Sequence, residues 1–193
     1  MNNNKRKLYE IFLDEEHIES FANSMVMDPA IEQEFIAFSK DEEDQTPVKL
    51  RFFEEGDKRM VAGPFVIAGK KILRRSQEGR LYEVVFTRES INDAVKLFAK
   101  HKLHDRMTIY HQTNVNGSAY LIETWIVENE QDKIFTHFGY SPEEISLGSW
   151  VGVYYIEDDT LWAMVKEGAF KGFSIEGMFR MREVKDAQEM ELS

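Results

Sequence analysis

Two short segments carry residue types that could perform nucleophilic catalysis. The run Gly-Phe-Ser-Ile-Glu-Gly at 172–177 has a serine at its centre, and a Tyr-His-Gln run lies about sixty residues earlier, at 110–112. A serine hydroxyl attacks a carbonyl only when a base such as histidine takes its proton, usually with a third group that orients the base. The pattern predicts Ser174 as a nucleophile and His111 as its base. An ordinary strand with an outward-facing serine would show the same run of residues.

His111 differs from the other histidines by its position. It ends an apolar strand just before a loop that contains asparagine and glycine, and active-site residues commonly lie where strands run out into loops. The alternative is a half-buried strand histidine bonded to the backbone. His101 and His104 could be metal ligands, but no cysteine or further histidine stands at ligand spacing, and a cationic helix end explains them. We therefore predict no metal and no cofactor.

Two carboxylates could orient His111. Glu123 interrupts the apolar strand 119–128, and a carboxylate among such neighbours needs a partner because burying it unpaired costs several kcal/mol. We expect this strand to pair with the preceding one, which ends at His111, so Glu123 is the first candidate. Its alternative is an outward side chain in water. Glu176 is the second candidate, because it shares a strand face with Ser174.

Composition and charge limit the class of protein. The 193 residues are 42% hydrophobic and 12% aromatic, which is typical of a globular domain with a substantial core. The formal net charge of −11 argues against non-specific binding of nucleic acid. Cysteine is absent, which excludes disulfides and cysteine catalysis and fits a reducing compartment. No apolar run has the length of a membrane span.

The front of the chain is predicted to be helical over residues 14–40. Ile18, Phe21 and Met25 recur at helical spacing, and Asp28-Pro29 is typical of a second helix start. The charged run 40–47 then indicates a linker. We divide the chain into an N-terminal helical arm or propeptide at 1–46, a main domain at 47–183 and a polar tail at 184–193.

The main domain is predicted to be α+β. Thr87 and Asp158 are expected to start helices. Strands and helices do not alternate regularly, which favours a mostly antiparallel β-barrel flanked by helices. Strands are expected at 48–52, 60–68, 81–86, 107–111, 119–128, 150–156 and 171–182.

The order and spacing of several segments resemble the prohead (procapsid maturation) proteases of tailed phages. They also resemble related phage serine proteases with a Gly-Phe-Ser-Ile-x-Gly strand. The likeness covers roughly residues 58–182. The matching segments are 61–64, 72–75, 82–86, 110–112, 122–127, 148–150 and 162–177.

This resemblance implies a fold like the herpesvirus assemblin protease, a β-barrel flanked by helices. It implies a serine endopeptidase of virion maturation that works in the host cytoplasm, inside the immature capsid. The scaffold and major capsid proteins are the expected substrates. The resemblance also allows the protein to form a homo-oligomer. The family roles fall on His111 as general base and Ser174 as nucleophile, with Glu123 as the third member and Glu176 as its alternative.

The resemblance also suggests a site of self-cleavage, and it leaves a non-catalytic function as the alternative. In T-even-type relatives, cleavage follows a glutamate two residues after a leucine or isoleucine. Leu8-Tyr9-Glu10 matches this pattern and predicts autocleavage after Glu10, although the pattern also occurs by chance at 81–83. The competing function is a non-catalytic capsid-assembly or scaffold-binding module that keeps the protease fold.

Overall fold

The computed structural model describes residues 6–27, 50–52, 58–76 and 78–184. In these ranges the protein is mixed α+β, as predicted, with three four-stranded sheets and three α-helices. The helices are α1 (Arg88–Lys100), α2 (Lys133–Thr136) and α3 (Asp159–Lys166), and a 3₁₀ helix spans Glu15–Ser20. The strands are β1 (Leu8–Leu13), β2 (Ala22–Val26), β3 (Arg51–Phe52), β4 (Met60–Val66), β5 (Ile72–Arg75), β6 (Leu81–Val85), β7 (Met107–Ile109), β8 (Thr113–Asn114), β9 (Ala119–Ile126), β10 (Trp150–Ile156), β11 (Gly172–Glu176) and β12 (Phe179–Glu183).

The strand pairing is mostly antiparallel, as predicted. The sheets have the strand orders β12-β1-β6-β5, β3-β4-β10-β9 and β11-β2-β7-β8. Among the described strands, β1 with β6 and β2 with β7 are the parallel pairs. The predicted β-barrel is not shown, because the described strands are hydrogen-bonded in three separate sheets that each have two open edges. No described helix is both long enough and apolar enough to cross a membrane.

The predicted N-terminal helix is wrong where the structure describes it. Residues 8–26 form β1, the 3₁₀ helix and β2. Every residue of β2 is buried, and a strand buried on both faces lacks the polar alternation that identifies strands. The helical spacing of Ile18, Phe21 and Met25 therefore reflects shared burial. The second predicted helix, from Asp28-Pro29, and the linker at 40–47 lie outside the described residues.

Both N-terminal strands lie inside sheets that the rest of the chain completes. Strand β1 lies between β12 and β6, and β2 lies between β11 and β7. The proposed cleavage site after Glu10 is in β1, where Glu10 is only 6% exposed. Its carboxylate accepts a hydrogen bond from Thr87 Oγ1 at 2.6 Å and pairs with Arg182. Cleavage there requires β1 to leave its sheet, because proteases cut accessible chain.

The helix starts predicted at Thr87 and Asp158 are confirmed. The Thr87 side chain accepts a hydrogen bond from Ser90 N at 3.1 Å and caps α1. The Asp158 side chain accepts one from Leu161 N at 2.7 Å and caps α3. Helix α1 buries Ile91, Ala94 and Phe98 against the sheets.

The predicted strand at 171–182 is divided in two by Gly177. Its φ of 152° is a backbone conformation that residues with a Cβ rarely adopt. Strand β11 ends just before this glycine, and β12 pairs with β1 in another sheet. The turn therefore leaves Glu176 at the end of the strand that carries Ser174.

An aromatic core anchors β11 from one side. The Phe173 ring lies 5.1 Å from that of Phe65 and 5.4 Å from that of Tyr154, measured between centroids. Asn23, on the neighbouring β2, donates to the Tyr154 hydroxyl at 2.9 Å. Since successive side chains of a strand point to opposite faces, Ser174 lies on the face away from this core.

Candidate active site

The sheet β11-β2-β7-β8 brings three hydroxyl side chains into one row. Ser174 on β11 lies directly opposite Ser24 on β2, and Ser24 lies opposite Thr108 on β7. Residues paired in this way point to the same face of a sheet, and antiparallel partners have Cβ atoms about 5 Å apart. Glu176 shares this face because it lies two residues after Ser174. One sheet face therefore carries the proposed nucleophile and one of the two candidate carboxylates.

His111 follows β7 in a left-handed turn. Tyr110 and His111 have φ values of 52° and 55°, and this conformation costs a residue with a Cβ about 1–2 kcal/mol. The turn is closed by a hydrogen bond from Gln112 N to Ile109 O at 3.1 Å. Three further bonds hold it in place: Tyr110 N donates to Met25 O at 3.0 Å, the Tyr110 hydroxyl to Ala169 O at 2.9 Å, and His111 N to Ser24 Oγ at 3.0 Å. Backbone strain of this kind persists only where the surroundings fix it, and it is common at functional sites.

The His111 ring contacts the carboxylate of Glu176. His111 Nδ1 lies 3.3 Å from Glu176 Oε2, and Thr108 Oγ1 donates to Glu176 Oε1 at 2.6 Å. Burial by itself raises the pKa of Glu176, but the hydrogen bonds from His111 and Thr108 and the charge of His111 outweigh it, so this pKa lies below its ordinary value. An ionised carboxylate only accepts hydrogen bonds, so Nδ1 carries the proton. When the His111 ring is neutral, its other nitrogen, Nε2, has a free lone pair and can act as a base.

The second ring nitrogen, Nε2, has no hydrogen-bond partner among the residues that the structure describes. His111 Nε2 is buried and has no hydrogen bond within the described part of the chain, and Ser174 is 8% exposed. The described residues thus show no hydrogen bond between Nε2 and Ser174 Oγ. Buried polar atoms without a partner are rare and call for an explanation. Catalytic hydrogen bonds are commonly long in a free enzyme and shorten when substrate binds.

Glu123 lies in a different environment. Its side chain is 49% exposed and pairs with Lys133, whose ammonium lies 3.9 Å from the centre of the Trp125 ring. The expected pairing of β7 with β9 is wrong, because β7 lies between β2 and β8, and β9 pairs with β10. The hairpin to β8 occupies the edge of β7 that β9 would have used. The structure therefore joins His111 to Glu176 and leaves Glu123 with a lysine.

Sequence reasoning missed Ser24 and Thr108. Both contact the His111 turn or its carboxylate partner, yet neither lies in a run that resembles a catalytic motif. For Ser24 the available signal was the polar pair Asn23-Ser24 inside an otherwise apolar run. Its assignment to a helix hid its position beside Ser174.

The described residues offer no grouping of three or more His, Asp or Glu side chains that could hold a metal ion. His101 Nε2 lies 3.9 Å from Glu15 Oε1 at the surface.

A family model described as "Putative phage serine protease XkdF" matches residues 48–183. The chain belongs to this family. The prediction of a phage serine protease is confirmed at the level of the family. The matched stretch contains Thr108, His111, Ser174 and Glu176, whereas Ser24 lies before it. A search of curated proteins and of solved structures gave no significant match.

Replacing Glu176 with glutamine is expected to reduce stability near neutral pH more than in acid. Because the pKa of Glu176 in the folded state lies below its ordinary value of 4.5, its ionised form stabilises the fold above that pH. This contribution is lost as the pH falls through the lower folded-state value. Urea unfolding of wild type and Glu176→Gln over a pH series measures the difference in unfolding free energy. A difference that fails to narrow below about pH 4.5 contradicts the assignment.

Proposed function

We propose that the protein is a serine endopeptidase in which Ser174 is the nucleophile, His111 the general base and Glu176 the group that orients His111. The observation that carries this proposal is the contact of the His111 ring with Glu176, whose side chain lies on the same sheet face as Ser174. Membership of a phage serine protease family supports the same role.

The mechanism is acyl transfer. Ser174 Oγ attacks the scissile carbonyl carbon while His111 Nε2 takes its proton, and the Glu176 carboxylate stabilises the resulting imidazolium through Nδ1. The tetrahedral intermediate then expels the amine, which receives the proton from Nε2. A water molecule, deprotonated by the same nitrogen, attacks the acyl-enzyme and releases the acid and free Ser174.

The proposed substrates are the scaffold and major capsid proteins inside the immature capsid. This part of the proposal rests on the resemblance to prohead proteases and on the phage family. From the same resemblance we propose that the fold is related to that of the herpesvirus assemblin protease. Autocleavage after Glu10 is proposed only for chains in which β1 has not yet paired, because in the folded protein Glu10 is buried between two strands.

A fluorophosphonate probe tests the proposed nucleophile directly, because it forms a covalent bond with activated serine hydroxyls. We expect mass spectrometry to find the probe on the peptide that contains Ser174 in folded protein and not in heat-denatured protein. Ser149, which is also buried, is the internal control and should stay unlabelled.

The competing function is a non-catalytic capsid-assembly module. It is favoured by the absence, in the described ranges, of a hydrogen bond between His111 Nε2 and Ser174 Oγ. Folded protein that the probe does not label at Ser174 would support this module and contradict the endopeptidase.

A further inference from the structure

His111 and three neighbouring residues form a closed ring of hydrogen bonds. His111 N donates to Ser24 Oγ at 3.0 Å, and Ser24 Oγ donates to the Thr108 carbonyl oxygen at 3.3 Å. Thr108 Oγ1 donates to Glu176 Oε1 at 2.6 Å, and Glu176 Oε2 lies 3.3 Å from His111 Nδ1. The ring fixes His111 at two points, since Ser24 binds its main chain and Glu176 binds its side chain.

Ser24 is the most deeply buried member of this ring. It is fully buried at 0% exposure and lies on β2, the strand between β11 and β7. It is paired on one side with Ser174 and on the other with Thr108. The residue that binds the backbone of the base is therefore also the neighbour of the nucleophile.

The backbone of His111 depends on such support. Its φ of 55° is unfavourable for a residue with a Cβ. Replacing Ser24 with alanine would remove the acceptor of a part-buried N–H, and an unsatisfied N–H destabilises the conformation that holds it. The turn would then relax, and the imidazole would move relative to Ser174.

We propose that Ser24 is a positioning residue for His111, and that β2 is part of the catalytic centre and not a separate arm. This inference rests on the proposed function. Ser24 lies outside residues 48–183, the stretch that the family model matches. The N-terminal strand thus supplies a working part of the site that the matched region does not contain.

The test compares Ser24→Ala with Ser149→Ala. Both serines are fully buried, and the hydroxyl of each accepts a backbone N–H at 3.0 Å, from His111 and from Ala68 respectively. The two variants should lose similar amounts of thermal stability. Labelling of Ser174 by the fluorophosphonate probe should slow about 10- to 100-fold in Ser24→Ala alone, since small displacements of a catalytic group have effects of this size.

The kinetic constants separate positioning from general loss of structure. Ser24 does not contact the probe in this scheme, so the maximal inactivation rate should fall while the concentration for half-maximal rate stays close to that of wild type. In wild-type protein, hydrogen exchange measured by NMR should show the His111 amide protected, because it donates to a buried hydroxyl. This last measurement does not depend on whether Ser24→Ala folds.

Each result has a distinct meaning. If wild type is labelled and Ser24→Ala is labelled as fast as Ser149→Ala, the proposed role of Ser24 is wrong and the proposed endopeptidase stands. A His111 amide that exchanges as fast as an exposed loop also overturns it. Wild type that is not labelled at Ser174 overturns the proposed function, and with it the catalytic role of Ser24, even if the amide is protected.

Discussion

Replacing Ser174 with alanine is expected to abolish cleavage of the proposed substrates, the scaffold and major capsid proteins. Loss of the nucleophile of a Ser-His-carboxylate set typically lowers kcat by about 10⁶, so no product should be detectable on the time scale of capsid assembly. The substitution removes a single oxygen from a strand anchored by Phe173 in the aromatic core. The fold is therefore expected to survive it.

The measurement is co-expression of the protein with the proposed substrates, the scaffold and major capsid proteins, followed by mass spectrometry of new termini. Ser149→Ala is the matched control, because this buried serine lies outside the proposed site and bonds to Ala68. Equal cleavage by wild type and Ser174→Ala would show that Ser174 is not the nucleophile. No cleavage by wild type, even in an assembling prohead, would favour the assembly module.

Replacing Glu176 with glutamine is expected to lower kcat by about 10⁴ while Glu123→Gln stays close to wild type. Glutamine keeps the size of the side chain but can donate a hydrogen bond to His111 Nδ1. The proton of a neutral ring then moves to Nε2, which removes the lone pair that would accept the Ser174 proton. The analogous carboxylate-to-amide change in a catalytic triad has an effect of this size.

The two glutamates make a fair comparison because each has a defined partner. Glu176 contacts His111 and Thr108, whereas Glu123 pairs with Lys133. Steady-state kinetics of both variants on a cleaved capsid peptide decide between them. A larger loss of kcat in Glu123→Gln than in Glu176→Gln would show that Glu123 is the carboxylate that orients His111.

Local sequence patterns correctly predicted the features that depend on a few neighbouring residues, such as helix caps and the face of a strand. The caps at Thr87 and Asp158 followed from residue type and from the apolar residues at helical spacing after each of them. The shared face of Ser174 and Glu176 followed from the two-residue period of a strand, and that relation placed Glu176 among the candidates. The end of an apolar strand marked His111.

Sheet partners could not be predicted in the same way. Glu123 was preferred because consecutive strands often pair, but the hairpin to β8 took the edge of β7 that this required. Ser24 was missed because β2 is buried on both faces and shows no alternation. Its contact with His111 spans 87 residues of sequence, and no local signal reports such a pairing.

The central position of β2 has a consequence for folding. Ser24 is made early, but its partner Ser174 follows about 150 residues later along the chain. Pairings between such distant segments form slowly, because the intervening loop must close first. In the proposed mechanism, Ser174, His111 and β2 can meet only after β11 has been synthesised. We therefore expect a growing chain to have no protease activity until its sheet β11-β2-β7-β8 is complete.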